Sequence, residues 1–194
     1  MQLIVAGATL GKVSHEFIEQ FMSDCVRVEG NEKPLTEAIS HHMVRVSHTR
    51  GKEVAIARFI QNNRCKRAIL FATEPRHQSH LFHFLEEHNI RVATLSRERT
   101  KRQRKQALDD FKSGKVKLLL TTDAAARGID VPNIEWVLHY DLPGSVQAYI
   151  HRAGRTGRAG KKGHSVVFAD KATMDKIQRF KRQLNLEFLT SELR

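Results

Sequence analysis

Short apolar runs alternate with helix-length amphipathic segments from residue 41 onward, and this alternation constrains the fold more than any other feature of the chain. Strands separated by helices of about a dozen residues indicate βαβ units and a mostly parallel sheet covered on both faces, an α/β fold with three αβα layers. The predicted strands are residues 42–46, 68–72, 91–95, 116–121, 135–139 and 163–168, and the predicted helices are 51–62, 76–88, 100–112, 145–153 and 171–184.

A stretch containing Gly, Asn and Pro separates this alternation from the start of the chain, and such a composition predicts a linker. We therefore expect residues 1–28 to form a separate first part, residues 29–40 the linker and residues 41–194 the main domain. In parallel sheets, ligands bind where the carboxyl ends of the strands meet the following loops. Functional residues are accordingly expected just after the predicted strands.

The charge of the chain is large and unevenly distributed. Thirty-three Lys and Arg against 21 Asp and Glu give a net charge of +12, and because residues 1–46 carry −2, the remaining 148 residues carry +14. An excess of this size indicates a polyanionic partner, most often nucleic acid. A solvated basic surface without a partner would give the same composition.

The sequence argues against a protein held together by cysteines and against a membrane protein. Cys25 and Cys65 are the only cysteines, which excludes a disulfide framework and a multi-cysteine zinc site and fits a reducing, cytoplasmic setting. The apolar runs are far shorter than the roughly 20 residues of a membrane span, so no membrane association is predicted. His80 and His83 lie three residues apart, but solvated helix positions explain them better than a metal would, and no metal site is predicted.

Two segments concentrate residues suited to binding phosphate. Residues 121–130, TTDAAARGID, follow a predicted strand with small residues, a glycine and two carboxylates, although an ordinary strand-to-helix loop capped by Thr122 or Asp123 is an equally good interpretation. Residues 149–160, YIHRAGRTGRAG, place three arginines at a spacing of three among glycines. Crowded guanidinium groups repel one another. This repulsion is offset where each group pairs with phosphate oxygens through two hydrogen bonds.

These two segments, with VLHYDLP at 137–143 between them, resemble motifs V, Va and VI of the DEAD-box RNA helicases of superfamily 2. The segment LFAT at 70–73 resembles motif IV, and Gly7-Ala8-Thr9 resembles motif III. The match covers nearly the whole chain in the family's order and is of the bacterial type. It implies a RecA-like domain at 41–194, preceded in residues 1–28 by a remnant of a first RecA-like, ATP-binding domain.

The resemblance also implies the residues of an ATP site. Arg155 and Arg158 would be arginine fingers that reach the γ-phosphate, and His151 would couple the nucleotide state to RNA binding; these are the predicted catalytic residues. Gly128 and Asp130 would contact the nucleotide, with Asp130 near the ribose. ATP would bind with Mg²⁺, and only in the complete two-domain enzyme.

Contacts to the RNA backbone and to the first domain follow from the same resemblance. The predicted RNA-binding residues are Thr73, Arg97, Lys101, Arg104 and Thr122, and the predicted interdomain-coupling residues are Gly7, Ala8, Thr9 and Arg152. The chain departs from the family pattern at Lys101, where Gln is usual in Gln-x-x-Arg, and at Ser96-Arg97, where His-Gly is common. The basic run at 97–105 is alternatively an exposed helix face without a ligand.

Two motifs that an ATPase of this kind needs are absent from the sequence, namely the GxxxxGK[ST] loop and the Asp-Glu-Ala-Asp run. The expected function is therefore that of the C-terminal part of an ATP-dependent RNA helicase, which would unwind short duplexes with a first domain and be inactive alone. Its expected partners are RNA bound without sequence preference, ATP and the first RecA-like domain, and the expected state is a monomer. The alternatives are a non-catalytic RNA-binding or regulatory module and a DNA translocase of the same superfamily.

Overall fold

A computed structural model of the chain describes residues 4, 12–22, 26, 37–47, 51–126 and 131–191. The chain divides into two compact units, Met1–Lys33 and Pro34–Arg194. In the first unit, helix α1 (Lys12–Phe21) carries the exposed rings of Phe17 and Phe21, whose centroids lie 4.7 Å apart. Residues 7–9 lie outside the described part of the chain, and the assignment of residues 1–28 to a first-domain remnant stays a prediction.

The second unit contains seven strands and six further helices in the part that is described. The strands are β1 (Ile39–Arg45), β2 (Ala68–Phe71), β3 (Val92–Thr94), β4 (Leu118–Thr121), β5 (Trp136–His139), β6 (Gly163–Ala169) and β7 (Leu189–Ser191). The helices are α2 (Lys52–Asn62), α3 (Pro75–Glu87), α4 (Lys101–Lys112), α5 (Asp123–Ala126), α6 (Val146–Ala153) and α7 (Lys171–Leu184).

All seven strands form one sheet in the order β3-β4-β2-β5-β6-β1-β7, and every pairing is parallel. Strands β2 and β4 are buried at every position. Continuous burial is expected for parallel strands because helices cover both faces of such a sheet. The predicted α/β RecA-like fold is confirmed.

Two helical layers enclose the sheet. On one face, Ile56 of α2 and Leu81 of α3 belong to the same apolar cluster as Leu70 of β2. On the other face, Phe111 of α4 packs in a cluster with Ile69 of β2, while α6 and α7 contribute to a third cluster against β6 and β1. The alternation of successive residues of β2 between two clusters is the period-two pattern of a strand buried on both sides.

The structure differs from the sequence prediction mainly at the edge of the sheet. Strand β1 begins at Ile39, which pairs with Gly163, two residues before the predicted domain start. Strand β7 and helix α5 were not predicted. Their segments, DAAA and LTS, contain no run of large apolar residues from which an element could be recognised, and β7 pairs with β1.

Candidate functional site at the carboxyl edge of the sheet

Three residues predicted to bind RNA come together at the carboxyl ends of neighbouring strands. Arg97, Thr122 and Thr73 follow β3, β4 and β2, which are adjacent in the sheet. They line one groove of about 300 Å³, hereafter the carboxyl-edge groove, together with Asp123. Two hydroxyls and a guanidinium on one wall are suited to phosphate oxygens and sugar hydroxyls.

Thr122 also has a structural role. Its Oγ1 accepts a hydrogen bond from the Ala125 N–H at 3.2 Å, so it caps the short helix α5. The alternative interpretation of this segment as a capped strand-to-helix loop is thus correct for Thr122, and the same side chain lines the carboxyl-edge groove. Capping fixes the hydroxyl at the position from which it faces the groove.

Lys101 and Arg104, the other two predicted RNA contacts, lie exposed on the first turn of α4 and do not line the groove. A capping box fixes the start of this helix: the Gln103 N–H donates to Thr100 Oγ1 at 3.2 Å, and the Thr100 N–H donates to Gln103 Oε1 at 2.9 Å. Within the described residues, neither cation has an ion-pair partner. The run at 97–105 is therefore an exposed basic face beside the groove.

Arg152 is the best-connected side chain of the site. Its Nε and Nη2 donate to the two carboxylate oxygens of Asp123 at 2.5 and 2.6 Å. Its Nη1 donates to the Asp141 carbonyl at 2.7 Å and its Nη2 to Thr73 Oγ1 at 3.1 Å. The guanidinium carbon lies 4.9 Å from the centroid of the Phe71 ring, a cation–π distance.

The burial of Arg152 bears on its predicted coupling role. The residue is only 1% exposed, and its guanidinium donates to Asp123, Asp141 and Thr73 of its own domain. Its assignment to interdomain coupling stays a prediction. Its ion-pair partner Asp123 lines both the carboxyl-edge groove and a second cleft.

Sequence reasoning missed Asp123 and Asp141 as site residues. Asp141 Oδ2 accepts a hydrogen bond from the Thr73 N–H at 2.9 Å and lies 3.2 Å from His77 Nδ1. Its carboxylate therefore holds the Thr73 loop while its backbone carbonyl holds Arg152. Each of these carboxylates closely follows a predicted buried strand, and this position in the sequence could have identified both as site residues.

The second cleft, hereafter the arginine cleft, has a volume of about 470 Å³. His151, Arg152 and Arg155 line it from α6 and the turn that follows, and Asp123 lines it from α5. Arg158 is not part of its lining; it is exposed, and its Nε donates to the Gly154 carbonyl at 2.8 Å. Of the three predicted catalytic residues, His151 and Arg155 thus lie in one cleft, and Arg158 lies on the adjoining turn.

The two predicted arginine fingers influence each other electrostatically. The pKa of Arg155 is lowered, first by burial of its guanidinium and then by the positive charge of Arg158. Burial and like charge both disfavour the cationic form. An anion between the two groups would relieve the repulsion and replace lost hydration, so this pair is suited to a phosphate.

A tight packing contact fixes the turn that carries these arginines. Thr156 is 2% exposed, and its hydroxyl donates to the Ile134 carbonyl at 2.6 Å. A Cβ on Gly163 would collide with Thr156 Oγ1 and lie 2.6 Å from the Gly157 nitrogen. Only glycine allows β6 to approach the turn this closely.

Some predicted residues lie outside the described part of the chain. These are Gly128 and Asp130, assigned to the nucleotide, and Gly7, Ala8 and Thr9, assigned to interdomain coupling. In the described part, no three His, Cys, Asp or Glu side chains are grouped so that they could hold a metal ion. No helix there is long and apolar enough to cross a bilayer.

Comparison with known proteins identifies what this arrangement is similar to. Residues 51–160 match the family profile of the helicase conserved C-terminal domain. The chain is 35% identical over 188 residues to the ATP-dependent RNA helicase SrmB of Haemophilus influenzae, an alignment that covers 94% of this chain and 43% of that protein. The chain therefore spans less than half the length of this relative.

Solved structures with the same fold are also found. The DEAD-box protein SrmB of E. coli, determined bound to regulator of ribonuclease activity A, is 27% identical with a TM-score of 0.70 over 79% of this chain and 89% of that one. S. cerevisiae Dbp5 bound to RNA and ADP BeF3 has a TM-score of 0.86 at 24% identity, covering 96% of this chain and 50% of that one.

Proposed function

The chain belongs to the helicase conserved C-terminal domain family, as the second RecA-like domain of a DEAD-box helicase, and on this premise we propose that it binds RNA backbone and completes an ATP site. Its partner in that activity would be a first RecA-like domain. The resulting two-domain enzyme would hydrolyse ATP and separate short RNA duplexes. Its relative SrmB is named an ATP-dependent RNA helicase, which supports this proposal.

One observation carries the proposal: the Asp123–Arg152 ion pair contributes lining residues to both the carboxyl-edge groove and the arginine cleft. Asp123 lines both, and Arg152 lines the cleft while donating to Thr73, which lines the groove. An anion that displaces Arg152 would alter the position of Thr73, and a ligand in the groove would in turn alter the cleft. Such shared contacts are what reciprocal coupling between two ligands requires.

For RNA we propose backbone contacts from the groove and from the adjoining face of α4. Thr73, Arg97 and Thr122 would meet phosphates and 2′-hydroxyls, and Lys101 and Arg104 would add charge next to them. Contacts of this kind position a strand without reading its bases, so little sequence preference is expected. The Gln-to-Lys departure at Lys101 keeps a hydrogen-bond donor and adds a positive charge.

ATP fits the arginine cleft because a polyphosphate would relieve the repulsion between Arg155 and Arg158 and the desolvation of Arg155. Arg155 and Arg158 would hold the γ-phosphate, His151 would lie beside them, and Gly128 and Asp130 would contact the nucleotide. When bound, ATP supplies the phosphoryl group whose transfer to water drives the domain cycle. Ligands for Mg²⁺ would come from the first domain, because the Asp-Glu-Ala-Asp run that holds Mg²⁺ in this family is absent from this sequence.

Three finer assignments belong to the same proposal. We propose that the protein is of the bacterial type, acts in the cytoplasm and is a monomer when not bound to its partners. The 35% identity to SrmB of Haemophilus influenzae supports the bacterial type. The small number of cysteines supports the cytoplasmic setting.

The test is reconstitution with a first domain. The chain is mixed with the separately produced first RecA-like domain of H. influenzae SrmB, and ATP hydrolysis is measured with and without poly(U) RNA. We expect RNA-stimulated hydrolysis from the mixture and none from the chain alone. Hydrolysis by the mixture that does not respond to RNA would contradict the proposal.

A non-catalytic RNA-binding module is the second candidate, favoured by the lack of a GxxxxGK[ST] loop in this sequence. It predicts that the chain binds poly(U) but adds nothing to hydrolysis by the first domain. A DNA translocase would instead respond to DNA as strongly as to RNA. The same reconstitution, run with both nucleic acids, distinguishes the three.

A further inference from the structure

Another pocket opens at the opposite edge of the sheet, at the amino ends of β2 and β4. Its volume of about 360 Å³ lies at the lower end of the roughly 300–1,000 Å³ of ligand pockets. Ala68 and Leu118, the first residues of the two strands, line it. None of the residues assigned above to RNA or nucleotide does, so this amino-edge pocket is separate from the groove and the cleft.

The floor of the amino-edge pocket is aliphatic. Ile60, Ile90 and Leu118 line it together with Cys65, which is 7% exposed. Burial, and to a lesser degree the charge of Glu135, raises the pKa of the Cys65 thiol to about 12. The thiol is therefore neutral at physiological pH and acts as an apolar surface.

The rim of the pocket is cationic. Arg91, Lys115 and Lys117 are exposed around the apolar floor. Lys115 lies 3.3 Å from Asp110 Oδ1, whereas Arg91 and Lys117 have no ion-pair partner among the described residues. Cations surrounding an apolar floor are complementary to a ligand with an apolar centre and acidic flanks.

We propose that the amino-edge pocket is a docking site for an acidic peptide segment of a partner protein, in which one aliphatic side chain is flanked by Asp or Glu. The aliphatic side chain fills the floor, and the flanking carboxylates pair with Arg91 and Lys117. Burial of the apolar side chain supplies affinity, and the rim charges supply orientation and association rate.

Peptide is favoured over RNA as the occupant for two reasons. No aromatic ring is among the residues that line the pocket, so a base would find nothing to stack on. Phosphates would pair with the rim but leave the aliphatic floor in contact with water. Because the carboxyl-edge groove lies at the other end of the strands, a bound partner would leave it open.

The test uses the whole chain and short dye-labelled peptides in fluorescence anisotropy. A peptide with a central leucine between aspartates is compared with one whose leucine is replaced by alanine and with one flanked by lysines. We expect each change to weaken binding by at least about tenfold. Methyl NMR signals of Ile60, Ile90 and Leu118 should shift with the first peptide.

Matched charge reversals complete the design. R91E/K117E should weaken binding of the acidic peptide by about tenfold or more, whereas R179E/R182E, on the exposed face of α7, should leave it unchanged. All four positions are exposed, so the fold should be retained, which circular dichroism checks. The proposal is overturned if no acidic peptide binds, if R91E/K117E binds as the unchanged chain does, or if poly(U) RNA shifts the three methyl signals more than the peptide does.

Discussion

At the level of single residues, Arg155 and Arg158 are the two arginines of the motif at 149–160 that are not fully buried. One is partly buried in the arginine cleft with a lowered pKa, and the other is exposed on the adjoining turn. Arg152, three residues before Arg155, is almost fully buried, and its guanidinium donates hydrogen bonds to Asp123, Asp141 and Thr73. The three equally spaced arginines thus differ in their surroundings, and we propose that Arg155 and Arg158 are the two that bind a ligand.

We predict that Arg155→Ala or Arg158→Ala, in the reconstituted two-domain enzyme, lowers ATP turnover by about 10³-fold or more, the scale of an arginine finger. RNA affinity should stay largely intact, because neither residue lines the carboxyl-edge groove. Turnover and poly(U) affinity are measured in parallel, with Arg179→Ala as the matched surface control. Unchanged turnover in both variants would refute the finger assignment.

At the level of elements, the contact between β6 and the arginine-bearing turn is the tightest in the site. We predict that Gly163→Ala destabilises the domain by about 1–3 kcal/mol, because the new methyl group overlaps Thr156 and the turn must move. Gly144→Ala is the matched control, since a Cβ there meets no atom within 4 Å. Urea denaturation measures both; equal midpoints for the two variants would contradict the packing argument.

Strand β1 and helix α6 share a buried histidine contact that responds to pH. His41 Nδ1 and the Tyr149 hydroxyl lie 2.7 Å apart, and burial, followed by the charge of His42, lowers the pKa of His41 to about 4 from 6.5. Unfolded chains therefore take up a proton at His41 before the folded state does. Stability is fully present above pH 6.5 and falls as the pH decreases towards 4.

The expected loss from His41 is at most about 3 kcal/mol across that interval. Urea midpoints at pH 7 and pH 4.5 measure it, and His41→Asn, which has no titrating ring, should show a smaller decrease. His88→Asn changes an exposed histidine and should keep the full decrease. A pH dependence identical in all three proteins would mean that other groups cause it.

At the level of the whole molecule, residues 47–194 carry a net charge of +14, and we propose that this charge binds the phosphates of RNA. The salt dependence of binding tests this proposal. We predict that poly(U) affinity falls steeply as salt rises, with a slope of about −0.7 per neutralised phosphate in the double-logarithmic plot. The double variant K101A/R104A should reduce that slope by about 1.4, and R179A/R182A should leave it unchanged. A flat salt response of the unchanged chain would count against the basic-face proposal.

Local sequence alone predicts most of the strands and helices of this fold. Buried strands such as AILF and LLLT, separated by amphipathic helices, predict the parallel sheet without any tertiary information, because parallel strands must be apolar on both faces. The same pattern predicts that functional residues follow the strands. The elements α5 (DAAA) and β7 (LTS) could not be predicted, since neither segment contains a run of large apolar residues.

Only the tertiary structure decided which residues meet. The order β3-β4-β2 brings Arg97, Thr122 and Thr73 to one groove, and no local pattern specifies the order of strands. Asp123 and Arg152 are 29 residues apart, and Thr73 and Arg152 are 79 apart, yet they share hydrogen bonds. Sequence periodicity indicates whether a segment is buried, whereas hydrogen-bond partners are set by how segments pack. The arginine motif was therefore recognisable from sequence, but the hydrogen-bond partners of Arg152 were not.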